Sequence, residues 1–391
     1  MIGTLAVSLG AGDRPRTRAC IVTTADGETI SGHVVEMSLD QGLTLLRADG
    51  QQQHVEAASV VRIVGQAPTR PDDPQEVSVT TAWGDVLRGR FRESEAEAVL
   101  LETADAGRIL VSLSAMTRVA HPQSRSPSHA ASVAWLDRER GTAEDRVLLT
   151  NGDVLRGFVT RIDPQGIQVD TALGTTQVPH RTVVEARLIS TRGAELSGLR
   201  VLVTMQGSGR ITATDLHWNH DELSLTLPGG QEAVVAAERV VELEVVGGRW
   251  EWLSGHGPVS FEHVPMLRLP FEFHVDRNVL GGPLVVAGET HPRGIGVHSR
   301  SSLIYELRGA YRELVTSYGI DDDSGPLADV TAVVLVDGQR RHVQTHVRRG
   351  QLFGPVRIDV KDARRIELRV EFGDHGDVQD RFDWIATALV R

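Results

Sequence analysis

The chain has 391 residues and a formal net charge of −11, with 41 Lys and Arg against 52 Asp and Glu. That length allows about two to four domains, and 40% hydrophobic with 24% charged residues is the balance of a globular protein. The acidic excess argues against a broad phosphate-binding surface, so no nucleic-acid partner is expected; the single cysteine, Cys20, excludes an intramolecular disulfide and a multi-cysteine zinc site.

Residues 1–19 open with an apolar stretch, Met1–Gly12, that ends in small residues but has no basic segment before it. It is a poor signal peptide as written and is expected to be a leader or a signal remnant. No apolar run approaches the roughly 20 residues of a membrane helix, so no membrane span is expected.

A repeat follows. Gly84-Asp85-Val86-Leu87-Arg88-Gly89 recurs identically as Gly152-Asp153-Val154-Leu155-Arg156-Gly157, and each copy follows a short β-rich run, Val77–Thr81 and Val147–Thr150. Cys20–Thr24 followed by Gly27-Glu28-Thr29-Ile30-Ser31-Gly32 has the same frame. A further glycine comes 18, 18 and 17 residues later, at Gly50, Gly107 and Gly174, and each unit closes on an apolar run, Val60–Val64, Met116–Ala120 and Val183–Ile189. The first glycine predicts a hairpin turn and the second a bend or bulge in the next strand. The four units predicted are 20–66, 77–122, 145–191 and a degenerate copy at 199–247, where the glycine spacing is lost. A unit this short with one inner face closes best as a small barrel, and the pattern resembles tandem Sm-like barrels. Polar, Pro-rich 66–76 separates the first two units, which are expected to be independent. A short helix containing Trp135 is expected within 129–140, and Trp250 and Trp252 are expected to anchor a domain junction.

Beyond residue 254 the signal is alternation. Leu303, Tyr305 and Leu307 fall on one face of a strand; Val330–Val336 is a nearly unbroken apolar strand turned by Asp337-Gly338; Ile366, Leu368, Val370 and Phe372 alternate with charged residues; Trp384–Val390 makes a last strand. Gly294-Ile295-Gly296-Val297-His298-Ser299, then Tyr305-Glu306-Leu307, Gly319-Ile320-Asp321-Asp322, Val336-Asp337-Gly338 and Gly376-Asp377-Val378-Gln379-Asp380-Arg381-Phe382-Asp383-Trp384 stand in that order, with Asp276-Arg277 and Gly281-Gly282-Pro283-Leu284 upstream. Over 254–391 this pattern resembles the NPCBM family of carbohydrate-binding modules, first described on bacterial glycoside hydrolases. Arg381 departs from it, since many members carry a histidine there. The expected architecture is all-β: tandem small Sm-like barrels followed by a C-terminal jelly-roll, galactose-binding-like β-sandwich.

The resemblance implies a non-catalytic module that binds a glycan or polysaccharide. Sandwich faces are committed to core or solvent, so recognition is expected from the Gly319–Asp323 turn and the Gly376–Asp383 loop. The candidate sugar-binding residues are His298, Tyr318, Asp322, Asp380 and Arg381. Tyr311, Tyr318 and Phe353 are the rings expected to be exposed for stacking, whereas Tyr305 and Trp384 fall in the apolar alternation and are expected in the core. Asp321, Asp323, Asp377 and Asp383 supply hard oxygen donors for a structural calcium, the alternative being two solvated acidic turns. His298 beside Ser299 has no nucleophile elbow or third partner around it, Gly294-Ile295-Gly296 lacks the strand–helix unit of a dinucleotide loop, and no pair among the many acids stands out as a glycosidase pair. The rival to glycan binding is a structural or protein–protein module of the bacterial envelope. An exported protein of the periplasm or envelope is expected, with other envelope proteins as further partners.

Overall fold

The computed structural model describes residues 19–391 apart from 66–70, 72, 74, 96, 139–142, 191–195, 208, 267–268 and 308–309. The expected leader therefore lies outside the described residues, except for residue 19. The chain divides into two compact units, Met1–Gly248 and Arg249–Arg391.

In the first unit one path is repeated four times. Cys20–Thr24, Thr29–Ser38, Gly42–Arg47 and Gln52–Val55 form a meander, a one-turn 3-10 helix Ala57–Ser59 follows, and Val60–Val64 returns to pair with Cys20–Thr24. The segments beginning at Val77 and Asp145 trace the same course, with 3-10 turns at Leu113–Ala115 and His180–Thr182 before their closing strands. The glycine frame is explained by geometry. Gly84 sits at φ +81° in the hairpin turn, a conformation that side chains resist. Gly89 is in the following strand, and a Cβ there would lie 2.3 Å from the Glu102 carbonyl oxygen. Gly89 faces Val77 as Ala213 faces Val201 in the fourth unit. With a side chain at that place, the long second strand is broken into Arg210–Ala213 and Asp215–Asn219.

The expectation of independent units is corrected. Closing strands pair across units, Ala120 with Glu185 and Val64 with Glu242, and Met37 faces Trp218. One sheet and one hydrophobic cluster run from Cys20 to Val245. The reason lies in the closing strands themselves: Val183–Glu185 and Ala186 are buried, so both faces of Val183–Arg187 need cover. Glu185 is fully buried between Arg118 and Arg187, each 2.6 Å away, which neutralises its charge across that joint. The helix around Trp135 spans Ala130–Arg138.

The second unit is a β-sandwich. One sheet runs in the order His274–Val275, Gly294–His298, Arg381–Val390, Glu313–Ile320, Leu352–Asp359, with Trp250–Trp252 also on Arg381–Val390. Trp250 and Trp252, ahead of residue 254, are thus part of the sandwich sheet. The other sheet runs Ser260–His263, Ser301–Glu306, Arg365–Phe372, Asp329–Val336, Gln339–Arg348. Leu303, Tyr305, Val334, Leu368 and Trp384 fill the space between them, as the alternation predicts. A small hairpin, Leu284–Val286 with Glu289–His291, covers Ile385 on the outer face of the first sheet.

Candidate functional site

Glu313–Ile320 stops, and Arg381–Val390 starts, at the same end of the sandwich, with Ile320 facing Phe382. The two expected loops therefore meet. The Arg381 guanidinium donates to the Asp323 carbonyl at 2.5 Å, and the Ser324 hydroxyl donates to the Arg381 carbonyl at 3.3 Å. The Gln379 side chain accepts from the Leu327 N–H at 3.3 Å.

Three of the acids at this end, Asp321, Asp380 and Asp383, face inward. Asp380 is fully buried; its carboxylate accepts from the Ser299 hydroxyl at 2.6 Å and from the Asp329 N–H at 3.1 Å. Burial pushes its pKa up to about 6 against those hydrogen bonds. Asp321 is also fully buried and accepts from the Asn278 amide, the Val285 N–H and the Asp323 N–H. These carboxylates tie together segments that lie far apart in sequence. Asp380 as a sugar contact is corrected on that ground: no part of it reaches the surface.

Tyr318 as an exposed stacking ring is corrected too. Strand register shifts between Thr316 and Tyr318 against one neighbour, and between Val315 and Ser317 against the other. The extra residues belong to those neighbouring strands, so Leu314, Tyr318 and Ile320 stay on one face of their own strand and pack together in the core; Tyr318 is 1% exposed, stacks on Phe353 with centroids 5.6 Å apart and hydrogen-bonds His342 Nε2 at 2.6 Å. Tyr305 and Trp384 are in the core as expected. His298 is buried, with its ring stacked on Phe271 at 4.4 Å and Nδ1 2.9 Å from the Ser299 carbonyl. Burial holds its pKa below the ordinary histidine value, so the ring is neutral and structural. Of the named sugar-binding and calcium candidates, Asp322, Asp323, Asp377 and Arg381 keep surface exposure. Asp322 also accepts from the Gly288 N–H at 2.7 Å.

The expected calcium ligands do not all converge. Asp377 accepts from the Met266 N–H at 2.7 Å instead. Asp383 is fully buried, and among the described residues no donor reaches either carboxylate oxygen. Burial, its contact with the Asp321 carboxyl and the charges of Asp321, Asp322 and Asp323 raise its pKa well above the usual range. An enclosed carboxyl of this kind needs either a proton or a cation, so Asp321 and Asp383 fit a hard cation while Asp377 does not. A second group, Asp329, His346 and Asp374, has ligand atoms within 4.8 Å of one another, but the Arg348 guanidinium stands 3.2 Å from Asp329 within it.

Sequence reasoning missed Asn278 and Ser299 as organisers. Asn278 is 1% exposed and lies 43 positions from the Asp321 it serves; only its nearness to the Asp276-Arg277 motif pointed to it.

Residues 251–390 match the NPCBM/NEW2 domain. A protein of Renibacterium salmoninarum named "Putative endo-alpha-N-acetylgalactosaminidase" is 25% identical over 104 residues, which cover 27% of this chain and 7% of that protein. A CBM51 module from Clostridium perfringens GH95, solved in complex with methyl-galactose, is 20% identical, with a TM-score of 0.31 over 36% of this chain and 99% of that one. Tandem CBM51 modules of a family 98 glycoside hydrolase from Streptococcus pneumoniae are 14% identical, with a TM-score of 0.33 over 89% of this chain and 87% of that one. The β-sandwich of this chain, over residues 251–390, is an NPCBM/NEW2 domain.

Proposed function

We propose that the sandwich is a non-catalytic glycan-binding module, with the four-repeat unit as a spacer or assembly element. The match of the whole sandwich to the NPCBM/NEW2 domain carries this reading. The name of the R. salmoninarum protein supports a place beside glycoside hydrolases, as an accessory module of an exported system. No helix among the described residues is long and apolar enough to cross a membrane.

The binding surface is the loop end. Asp322, Asp323 and Arg381 offer acceptors and donors to sugar hydroxyls there, on a base fixed by Asp321 and Asp380. Those two acids are spent on internal donors, which suits recognition better than acid–base chemistry. A cation held between Asp321 and Asp383 would brace the same turn. A shallow site of this kind gives affinities of about 10–1000 μM.

The test is a glycan array probed with the full chain, followed by Asp322→Ala and Arg381→Ala. Loss of a bound glycan in either variant, at an unchanged melting temperature, supports the reading. An array that is blank with folded protein overturns it.

A further inference from the structure

The opposite end of the sandwich holds a cleft of about 460 Å³. Its floor is Leu253, Tyr305 and Leu389, all almost fully buried, and Tyr311, His256 and Arg391 stand at its rim. The rim is held in place by Glu251. Its carboxylate accepts from the Tyr311 hydroxyl at 2.6 Å, lies 2.7 Å from His256 Nε2 and pairs with Arg391 at 2.6 Å. The Arg391 guanidinium also lies over the Tyr311 ring, 5.2 Å from its centroid.

Two groups in this cleft are left over. Tyr305 is 3% exposed with its ring in the core, and its hydroxyl has no hydrogen-bond partner among the described residues. The ring is enclosed, but the oxygen is not among the buried unpartnered atoms, so it opens on the cleft, where a partner can reach it. The next residue, Glu306, is exposed at the cleft, and its carboxylate takes part in no hydrogen bond or ion pair among the described residues. A hydroxyl that both donates and accepts thus lines the same cleft as a carboxylate with no partner among the described residues, above an apolar floor.

We propose that this cleft is a second saccharide-binding site, taking a single neutral sugar ring. The proposal rests on the reading of the sandwich as a glycan-binding module. A sugar ring has an apolar C–H face for Leu253, Leu389 and the Tyr311 edge, and hydroxyls for Tyr305 and Glu306. Formal charge favours a neutral ligand: Glu251 and Glu306 stand against Arg391 and a His256 whose pKa the Glu251 carboxylate raises, leaving little net field for an anion or a cation. The size fits a small-molecule pocket. Arg381–Val390 runs the length of the sandwich between the loop end and the cleft; its 10 residues span about 30 Å, so the two sites fill separately.

The experiment is a titration of the full chain with methyl glycosides of neutral hexoses and N-acetylhexosamines, read by ligand-observed NMR and calorimetry. It compares wild type with Tyr305→Phe, Glu306→Gln and the loop-end variant Arg381→Ala. The expected result is a binding component that Tyr305→Phe and Glu306→Gln each weaken by roughly fivefold or more, the worth of one hydrogen bond. Arg381→Ala leaves that component intact. If sugar binds but only Arg381→Ala weakens it, the second site is overturned and the module reading stands. If no glycoside binds folded wild type and the glycan array is blank too, both fall.

Discussion

Asp380 offers the sharpest test, because a buried tie and a surface ligand behave differently with pH. In Asp380→Ala the Ser299 hydroxyl and the Asp329 N–H lose their acceptor, and both residues are buried. Each orphaned donor costs roughly 1–3 kcal/mol, or about 2–6 kcal/mol together. An opposing effect depends on pH. The folded-state pKa of about 6 lies above the ordinary 3.8, so the folded protein holds the Asp380 proton more tightly than the unfolded chain does. Asp380 therefore adds stability at low pH that is lost as pH rises from about 4 through about 6. Between pH 4.5 and pH 7.5 this amounts to about 2 kcal/mol. Alanine lacks that contribution, so Asp380→Ala should destabilise the sandwich more at pH 4.5 than at pH 7.5, by about 2 kcal/mol. Urea unfolding of the full chain at the two pH values, followed by tryptophan fluorescence, measures it; Trp384 is fully buried and reports on the sandwich. A loss of equal size at both pH values would refute the argument from burial. No loss at either would return Asp380 to the surface.

In the repeats, Gly89→Val and Gly157→Val place a Cβ within 2.3 Å and 2.2 Å of a facing carbonyl oxygen; each should cost roughly 3 kcal/mol or more, and the shared sheet should make the whole first unit melt earlier in calorimetry. His180 Nε2 lies 2.6 Å from the Asp163 carbonyl, so it donates, His121 Nε2 donates to His180 Nδ1 at 2.8 Å, and both rings are neutral. Burial lowers the His121 pKa to about 3, so stability should fall as pH drops below about 6.5, and His121→Gln should flatten that fall in acid unfolding curves. If Asp321 and Asp383 hold calcium, chelation with EGTA should lower the melting temperature of wild type but not of Asp383→Asn; no shift in wild type leaves a shared proton in its place. Generic single-stranded RNA should not bind at micromolar concentration and physiological salt, given the charge of −11; salt-sensitive binding in a filter assay would contradict this.

The architecture was legible where backbone geometry constrains residue type. Gly84 is glycine for its positive φ and Gly89 for the carbonyl against it, so the repeat showed in the letters. The strands of the sandwich showed as alternation because each has one face in the core. The joining of the repeats was hidden: the run Val183–Ile189 looks like any buried strand, and nothing in it says which neighbour covers its second face. At the loop end, the meeting of the two acidic loops could be foreseen, but which acids point inward could not. Asp380 and Asp322 look alike in sequence. One is enclosed because Ser299, 81 positions away, donates to it, and the other stays near solvent beside Gly288. The expectation of an exposed Tyr318 set aside its phase: it alternates with Leu314 and Ile320, which puts all three on the core face, and the bulges beside it lie in the neighbouring strands.

Trp250–Trp252 lies along the last strand of the sandwich, with Trp250 opposite Val390. The point where the chain enters this fold and the point where it leaves are therefore adjacent strands at one end. A domain with such neighbouring ends behaves as a cassette: it can be spliced into a surface loop of another protein, or removed, with little displacement of the flanking chain. The turns carrying Asp322 and Arg381 stand at the other end of that last strand, whose 10 residues span about 30 Å, well away from both points of attachment. Different hosts could thus display the same turns without redesigning either part.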